Sequence, residues 1–416
     1  MNKKDLLLGV RDKPGLFLWF VLSFQHVIAM FSATILIPII VGIPPSIALF
    51  TSGLGTLIYS FITKAKVPVY LGSSAAFVGA MLAAQEATGS MAASQTGLIL
   101  VGFVYVLIAF IIRKFGSDWL SKLLPPVVIG PMILVIGLGL APWAVEQAGF
   151  VQGGDLKNMV VATFTLSITL FFLVKGKGLM KFIPFLVGIL AGYIFAGLLN
   201  MVDFAPVLEA PLFQLPEFSI WGLNYRPDFS FAAIALIPVV IVSISEHIGD
   251  HTVLGKICGE DFLKDPGMDK TLMGDGIATA VSAFFGGPAN TTYGENTGVI
   301  GMTKVASVYV TIGAAFIAIL LSFSGVVSAL IASIPPPVLG GVSLLLYGVI
   351  ASNGLKVLID EKVDFKKQRN LIIASIMLVL GLGGATLPLV GSAVLSGSAL
   401  SGIAGTFLNF ILPKHE

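Results

Sequence analysis

Apolar runs follow one another along almost the whole chain, most of them near the roughly 17 to 25 residues that cross a bilayer as a helix. They cover residues 14–41, 45–62, 68–85, 97–112, 124–146, 158–174, 182–201, 229–250, 272–285, 289–303, 305–333, 336–354, 369–385 and 390–412. This pattern predicts an all-α polytopic membrane protein with 14 transmembrane segments. The third and tenth segments break the helical pattern. Val67-Pro68-Val69-Tyr70-Leu71 and Ala289-Asn290-Thr291-Thr292-Tyr293 favour extended backbone, and each meets a glycine, Gly72 or Gly294, before a helix-compatible run. Each therefore reads as a short extended stretch leading into a half-helix. Such a break leaves backbone N–H groups and a positive helix N-terminus unpaired at membrane depth, which is tolerated where they face a cavity or a ligand.

The second half of the chain repeats motifs of the first. Gln25-His26 recurs as Glu246-His247, the run Gly72 to Gly79 as Gly294 to Gly301, and Pro125-Pro126-Val127-Val128-Ile129-Gly130 as Pro335-Pro336-Pro337-Val338-Leu339-Gly340. The matches keep their order, which divides the chain into two repeats of seven segments. An odd number of crossings inserts the second copy upside down. The expected architecture is a pair of inverted repeats with a site between them near the bilayer midplane.

Composition agrees with a membrane protein. Hydrophobic residues make up 56% of the chain and charged residues 11%, against roughly 25% charged in soluble proteins. The basic residues alternate between sides. Lys3, Lys4, Arg11 and Lys13 precede the first segment; Lys64, Lys66, Arg113, Lys114, Lys175, Lys177, Lys256, Lys264, Lys366, Lys367 and Arg369 fall in loops of the same parity, and Lys157 and Arg226 in the others. By the positive-inside rule both termini are cytoplasmic. A net charge of +2 without basic clusters among aromatic residues argues against a nucleic-acid partner. The single cysteine, Cys258, excludes intrachain disulfides and cysteine metal clusters, and no cofactor motif is found.

The candidate chemistry lies in the repeated motifs, where an amide or hydroxyl residue of the first copy has become Glu246 or Glu295. An acidic residue at the centre of a spanning helix costs about 2.5 to 3.5 kcal/mol on insertion scales, so both read as functional. Carboxylates accept hydrogen bonds and repel anions. With amide donors at Ala75 and Gly294 they suit a cyclic amide or imide, whose N–H and C=O groups alternate. A carboxylate in such a site can also carry a proton through a transport cycle. Asp250, one turn after Glu246, reads as a proton-relay or supporting residue. His26 and His247 read as packing hydrogen-bonders, with His26 also able to orient a site glutamate. Two other readings are weaker. His247-Ile248-Gly249-Asp250-His251 has the i, i+4 histidine spacing of zinc proteases but lacks the glutamate base and a third ligand, so neither an enzyme nor a metal site is expected. An anion carrier on an inverted-repeat scaffold would call for a basic residue in place of Glu295.

These motifs resemble the nucleobase-ascorbate transporters, also called nucleobase:cation symporter family 2, and within them the bacterial uracil permeases. The resemblance rests on Gln25-His26, Tyr70-Leu71-Gly72-Ser73-Ser74, Glu246-His247, and Thr292-Tyr293-Gly294-Glu295-Asn296-Thr297-Gly298 with Thr303-Lys304. It implies a core domain from residues 1–115 and 206–333 and a gate domain from 116–205 and 334–416. It implies further that Glu246 and Glu295 bind the base, that the backbones at Ala75 and Gly294 meet its carbonyls, and that Ala33, Tyr293 and Tyr347 line its ring. Proton coupling would fall to Glu246, Asp250 and His26, with sodium as the alternative ion. The implied activity is nucleobase import across the cytoplasmic membrane, by a possible homodimer. Glu295 stands where purine carriers usually have glutamine, which favours uracil. Asp250, familiar from purine transporters, and Ala75, where an aromatic residue would help to sandwich the base, keep xanthine as the second expectation.

Overall fold

The computed structural model describes residues 6–176, 183–388 and 394–413. Lys3, Lys4, Lys177 and the first residues of the expected segments 182–201 and 390–412 lie outside them. The main helices are α1 (Leu16–Ile40), α2 (Pro45–Ile62), α3 (Val78–Thr88), α4 (Met91–Phe115), α5 (Pro126–Gly139), α6 (Leu156–Lys175) and α7 (Pro184–Leu198). After a long connection follow α8 (Val239–Cys258), α9 (Met268–Phe284), α10 (Gly294–Thr303), α11 (Val308–Ser322), α12 (Pro336–Asp360), α13 (Gln368–Leu382) and α14 (Gly397–Ile411). Proline stands at the first helical position of α2, α5 and α12, where its missing N–H costs nothing. Glycines in left-handed conformation end α3 at Gly89 and α8 at Gly259.

Among the described residues, seven helices are long and apolar enough to cross a membrane by themselves. The segment 305–333 is no single helix: α11 and Gly325–Ala332 meet at 83°. Helices α7, α13 and α14, of 15 residues each, span only about 22 Å, short of the roughly 30 Å hydrocarbon core.

Two strands lie inside the helical framework. Strand β1 (Leu71–Ser73) pairs antiparallel with β2 (Asn290–Thr292), Leu71 facing Thr292 and Ser73 facing Asn290. Bonds from Ser74 N to the Ala289 carbonyl (2.8 Å) and from Tyr293 N to the Tyr70 carbonyl (3.0 Å) extend the ladder. The expected breaks in the third and tenth segments are present, as a paired ribbon. The matching glycines, however, occupy different places: Gly72 lies inside β1, whereas Gly294 opens α10. Gly72 is required by contact, because a Cβ there would overlap the Tyr293 ring. Gly72→Ala is expected to cost about 1–3 kcal/mol, read as a lowered unfolding temperature in detergent, whereas Gly79→Ala, where no atom lies within 4 Å of the added carbon, is expected to be neutral.

One expectation is corrected. Within the described part of the segment 390–412, residues 394–396 are not helical: β3 (Thr386–Pro388) pairs antiparallel with β4 (Val394–Ser396), and α14 begins only at Gly397. Pro388 and Gly397, with φ of +55° at the latter, interrupt an apolar run whose hydropathy alone does not separate strand from helix.

The helices pack through small residues, as membrane helices do in the absence of a hydrophobic drive between them. Helix α4 crosses α9 where a Cβ on Gly102 would lie 2.6 Å from the Gly276 carbonyl, and α5 crosses α12 where a Cβ on Gly354 would lie 2.5 Å from the Gly130 carbonyl. One group of contacts joins α1, α2, α4, α9 and α11; another joins α5, α6, α7, α12, α13 and α14. Helix α8 touches both groups, with α4 and α10 on one side and α5 and α14 on the other.

Candidate functional site

The ribbon organises the site. Because β1 and β2 run antiparallel, the turn Ala75–Phe77 that opens α3 leaves one end of the ribbon and α10 leaves the other, on the order of 10 Å apart. The first amides of a helix have no intrahelical acceptor, so the two helix starts present donors at Gly294 and Ala75. Gly294 is exposed and Ala75 half-buried, and the Ala75–Phe77 turn packs on α8.

Helix α8 brings the carboxylates to these donors. Glu246 and Asp250 stand one turn apart, both half-buried, and Glu246 lies within range of the charges of Asp250, Glu295 and Asp275. Asp250 accepts a hydrogen bond from the Thr292 hydroxyl at 2.8 Å, and a Cβ on Gly294 would lie 3.7 Å from Asp250 Oδ1. Glu295 follows at the second position of α10 and is half-buried. Glu246 turns its Oε2 atom inward, where nothing bonds it. The structure thus gathers Glu246, Asp250, Glu295 and Gly294 around one end of the ribbon.

The ring-lining candidates are less accessible. Tyr293 is buried beneath Gly72, where its hydroxyl donates to the Ser73 carbonyl (3.1 Å) and accepts from Thr34 (3.4 Å). Ala33 belongs to the same apolar cluster. Tyr347, on α12, is buried in the large cluster that includes Ala76, Phe77 and Ile244. His26 is buried and accepts from Asn296 Nδ2 at 3.0 Å, so it is bonded to the neighbour of Glu295 rather than to a glutamate.

His247 faces α9, where the sequence suggests no partner. Its Nδ1 is 2.7 Å from Asp275 Oδ2 and its Nε2 2.9 Å from the Thr271 hydroxyl. His251 Nδ1 donates to the His247 carbonyl (2.8 Å), and its Nε2 accepts from the Tyr59 hydroxyl (2.5 Å). The two rings stack with centroids 3.9 Å apart, so the zinc-like spacing builds a hydrogen-bonded stack instead of a metal cradle. Asp275, Thr292 and Asn296 are the site residues that sequence reasoning missed. Asp275 carried a usable signal, a lone carboxylate in an apolar segment.

With this geometry in hand, the chain can be compared with known proteins. It matches the Permease family over residues 17–390. The chain belongs to that family. It is 49% identical to the uracil permease of Bacillus subtilis (strain 168) across 100% of this chain and 97% of that protein. Identity is 50% to the uracil permease of Bacillus caldolyticus, covering 99% and 96% of the two chains, and 42% to that of Escherichia coli (strain K12), covering 97% and 93%. The resemblance read from Gln25-His26 and the Gly294–Lys304 motif is borne out by these matches. The protein is accordingly a multi-pass membrane permease and not an enzyme.

Solved structures give the fold a wider setting. The transmembrane domain of a cyanobacterium bicarbonate transporter, BicA, aligns with a TM-score of 0.67 at 16% identity, over 96% of this chain and 99% of that one. SLC26A9 aligns with a TM-score of 0.69 at 12% identity, over 99% of this chain and 66% of that one. At such identities the likeness concerns the fold alone.

Proposed function

We propose that the permease imports uracil with protons across the cytoplasmic membrane by alternating access. The observation that carries this reading is the placement of two half-buried carboxylates, Glu246 and Glu295, beside the exposed first residue of α10. A pyrimidine dione presents N–H and C=O groups in alternation, so its N–H groups meet carboxylates while its carbonyls meet the amides at Gly294 and Ala75. The relatives named uracil permease support uracil as the base.

In this reading Glu246 carries the proton and Glu295 recognises the base, with Asp250 and His26 supporting them and Ala33, Tyr293 and Tyr347 shaping the pocket. The chain crosses the membrane 14 times as two inverted repeats, with both termini cytoplasmic, the shorter helices completing their crossings with the ribbon strands and bends. Residues 1–115 and 206–333 form the core and 116–205 and 334–416 the gate, a division supported by the two groups of packed helices. Movement of one group against the other exposes the site to each side in turn.

The test of base recognition is Glu295→Gln. Replacing a carboxylate that accepts from a uracil N–H is expected to lower the preference for uracil over xanthine by on the order of tenfold, measured as the ratio of inhibition constants in competitive uptake. Uptake that keeps both its rate and its preference would remove Glu295 from the site.

A further inference from the structure

The chain passes from core to gate twice, each time through a short linker helix: Asp118–Leu123 after α4 and Gly325–Ala332 after α11. Each linker runs into one of the matching proline motifs, Pro125-Pro126 or Pro335-Pro336-Pro337, which open α5 and α12. With both termini cytoplasmic, the first linker lies on the cytoplasmic face and the second on the outer face. The gate-side end of each is bonded by a buried polar side chain from the last helix of the other repeat. Tyr193 on α7 donates its hydroxyl to Ser333 Oγ at 2.7 Å, and Ser333 Oγ donates to the Leu330 carbonyl at 2.8 Å. Asn409 on α14 donates through Nδ2 to the carbonyls of Lys122 (3.0 Å) and Leu123 (3.3 Å), while its Oδ1 accepts from Arg369 Nη2 on α13 at 2.6 Å.

Packing changes sides at the same place. Ile331 belongs to the apolar cluster of Ile35 and Ile317 in the core, whereas Ile334 lies against the cluster of Ile189 and Val338 in the gate, so Ser333 stands at the boundary. The core-side ends are built as turns. Gly116, at φ +78°, joins α4 to the first linker, and the 83° bend joins α11 to the second. A short helix bonded at one end and attached by a turn at the other has its pivot at the turn, because domain movements are absorbed by a few residues at the ends of elements.

We propose that Tyr193 and the Arg369–Asn409 pair are positioning residues for the transport movement: they fasten the gate-side ends of the outer and the cytoplasmic linker to the gate, so that the core pivots at Gly116 and at the bend before Gly325. The inference rests on the reading of core and gate as moving bodies and adds to it where the movement turns. Without a fastened end the linker gains directions of motion that do not lead to the opposite state, and fewer excursions of the core complete the crossing.

The test uses two mild variants of the full chain. Tyr193→Phe removes only the hydroxyl, and Ser333 keeps its bond to Leu330; Asn409→Asp keeps the acceptor for Arg369 and removes the donors to the linker. Each is expected to lower the maximal rate of uracil uptake per folded transporter about fivefold, the weight of one hydrogen bond, with the KM within about twofold of wild type. Adding Ser333→Ala to Tyr193→Phe should cost no more than either change alone, because both remove the same bond. Rates within about twofold of wild type in both variants, or losses that only follow the amount of folded protein, would overturn the proposal. A second arm measures distances between nitroxide labels in Cys258→Ala protein, one pair at Ala332 and Leu198 across the outer anchor and a control pair at Met302 on α10 and Ile359 on α12, all exposed positions. The anchor predicts a narrow Ala332–Leu198 distance that uracil leaves unchanged and Tyr193→Phe broadens. If uracil shifts this distance together with the control, the linker travels with the core and the proposal falls. If the control never shifts, the reading of moving bodies falls, while broadening by Tyr193→Phe still establishes the anchor.

Discussion

Glu246→Gln is expected to lower gradient-driven uracil uptake by roughly 10- to 100-fold, the loss of about 1.5–3 kcal/mol that follows removal of a charged hydrogen-bond partner. The side chain keeps its size, so packing of α8 should survive, and correct insertion can be checked by the unchanged unfolding temperature. The loss should be largest in accumulation against a gradient and smaller in exchange of labelled for unlabelled uracil, because the glutamine cannot take up and release a proton. Equal losses in both assays would restrict Glu246 to binding the base. An unaltered rate in both would exclude it from the site.

His247→Ala is expected to destabilise the protein by about 1–3 kcal/mol, because it leaves a buried oxygen of Asp275 without its hydrogen-bond partner. Both side chains are fully buried and 2.7 Å apart, so solvent does not replace the lost bond. The unfolding temperature should fall by a few degrees, on the order of 1–3 °C. Replacing both partners together, as in His247→Phe with Asp275→Val, should recover much of the loss, since the cost comes from the unpaired buried polar group and not from the missing bond. A single variant as stable as wild type would mean that Asp275 is satisfied in another way.

Much of the architecture was legible because its signals are local. Long apolar runs mark helices α1, α2, α4, α8 and α12, and the β-leaning residues before Gly72 and Gly294 mark the ribbon. The hairpin of β3 and β4 was hidden, since an apolar strand and an apolar helix look alike when lipid and protein surround both. In the site, Glu246 and Glu295 stood out by charge and by their place in the repeat. Asp275 carried the same charge signal but no repeat, and its partner His247 lies 28 residues away on another helix. The burial of Tyr293 under Gly72 depends on the register of β1 on β2, a tertiary fact that neither segment encodes alone. Asp250 illustrates the same limit, for its bond to Thr292 arises only when β2 is laid beside α8.

The most direct test of the account is uptake of radiolabelled uracil into proteoliposomes under an imposed inward proton gradient, with and without excess unlabelled xanthine. The account predicts uptake that needs the gradient and is not suppressed by xanthine. Suppression by xanthine, or absence of uracil uptake, would contradict it and assign the site to the purine carriers, with Asp250 and Ala75 outweighing Glu295 in the choice of base.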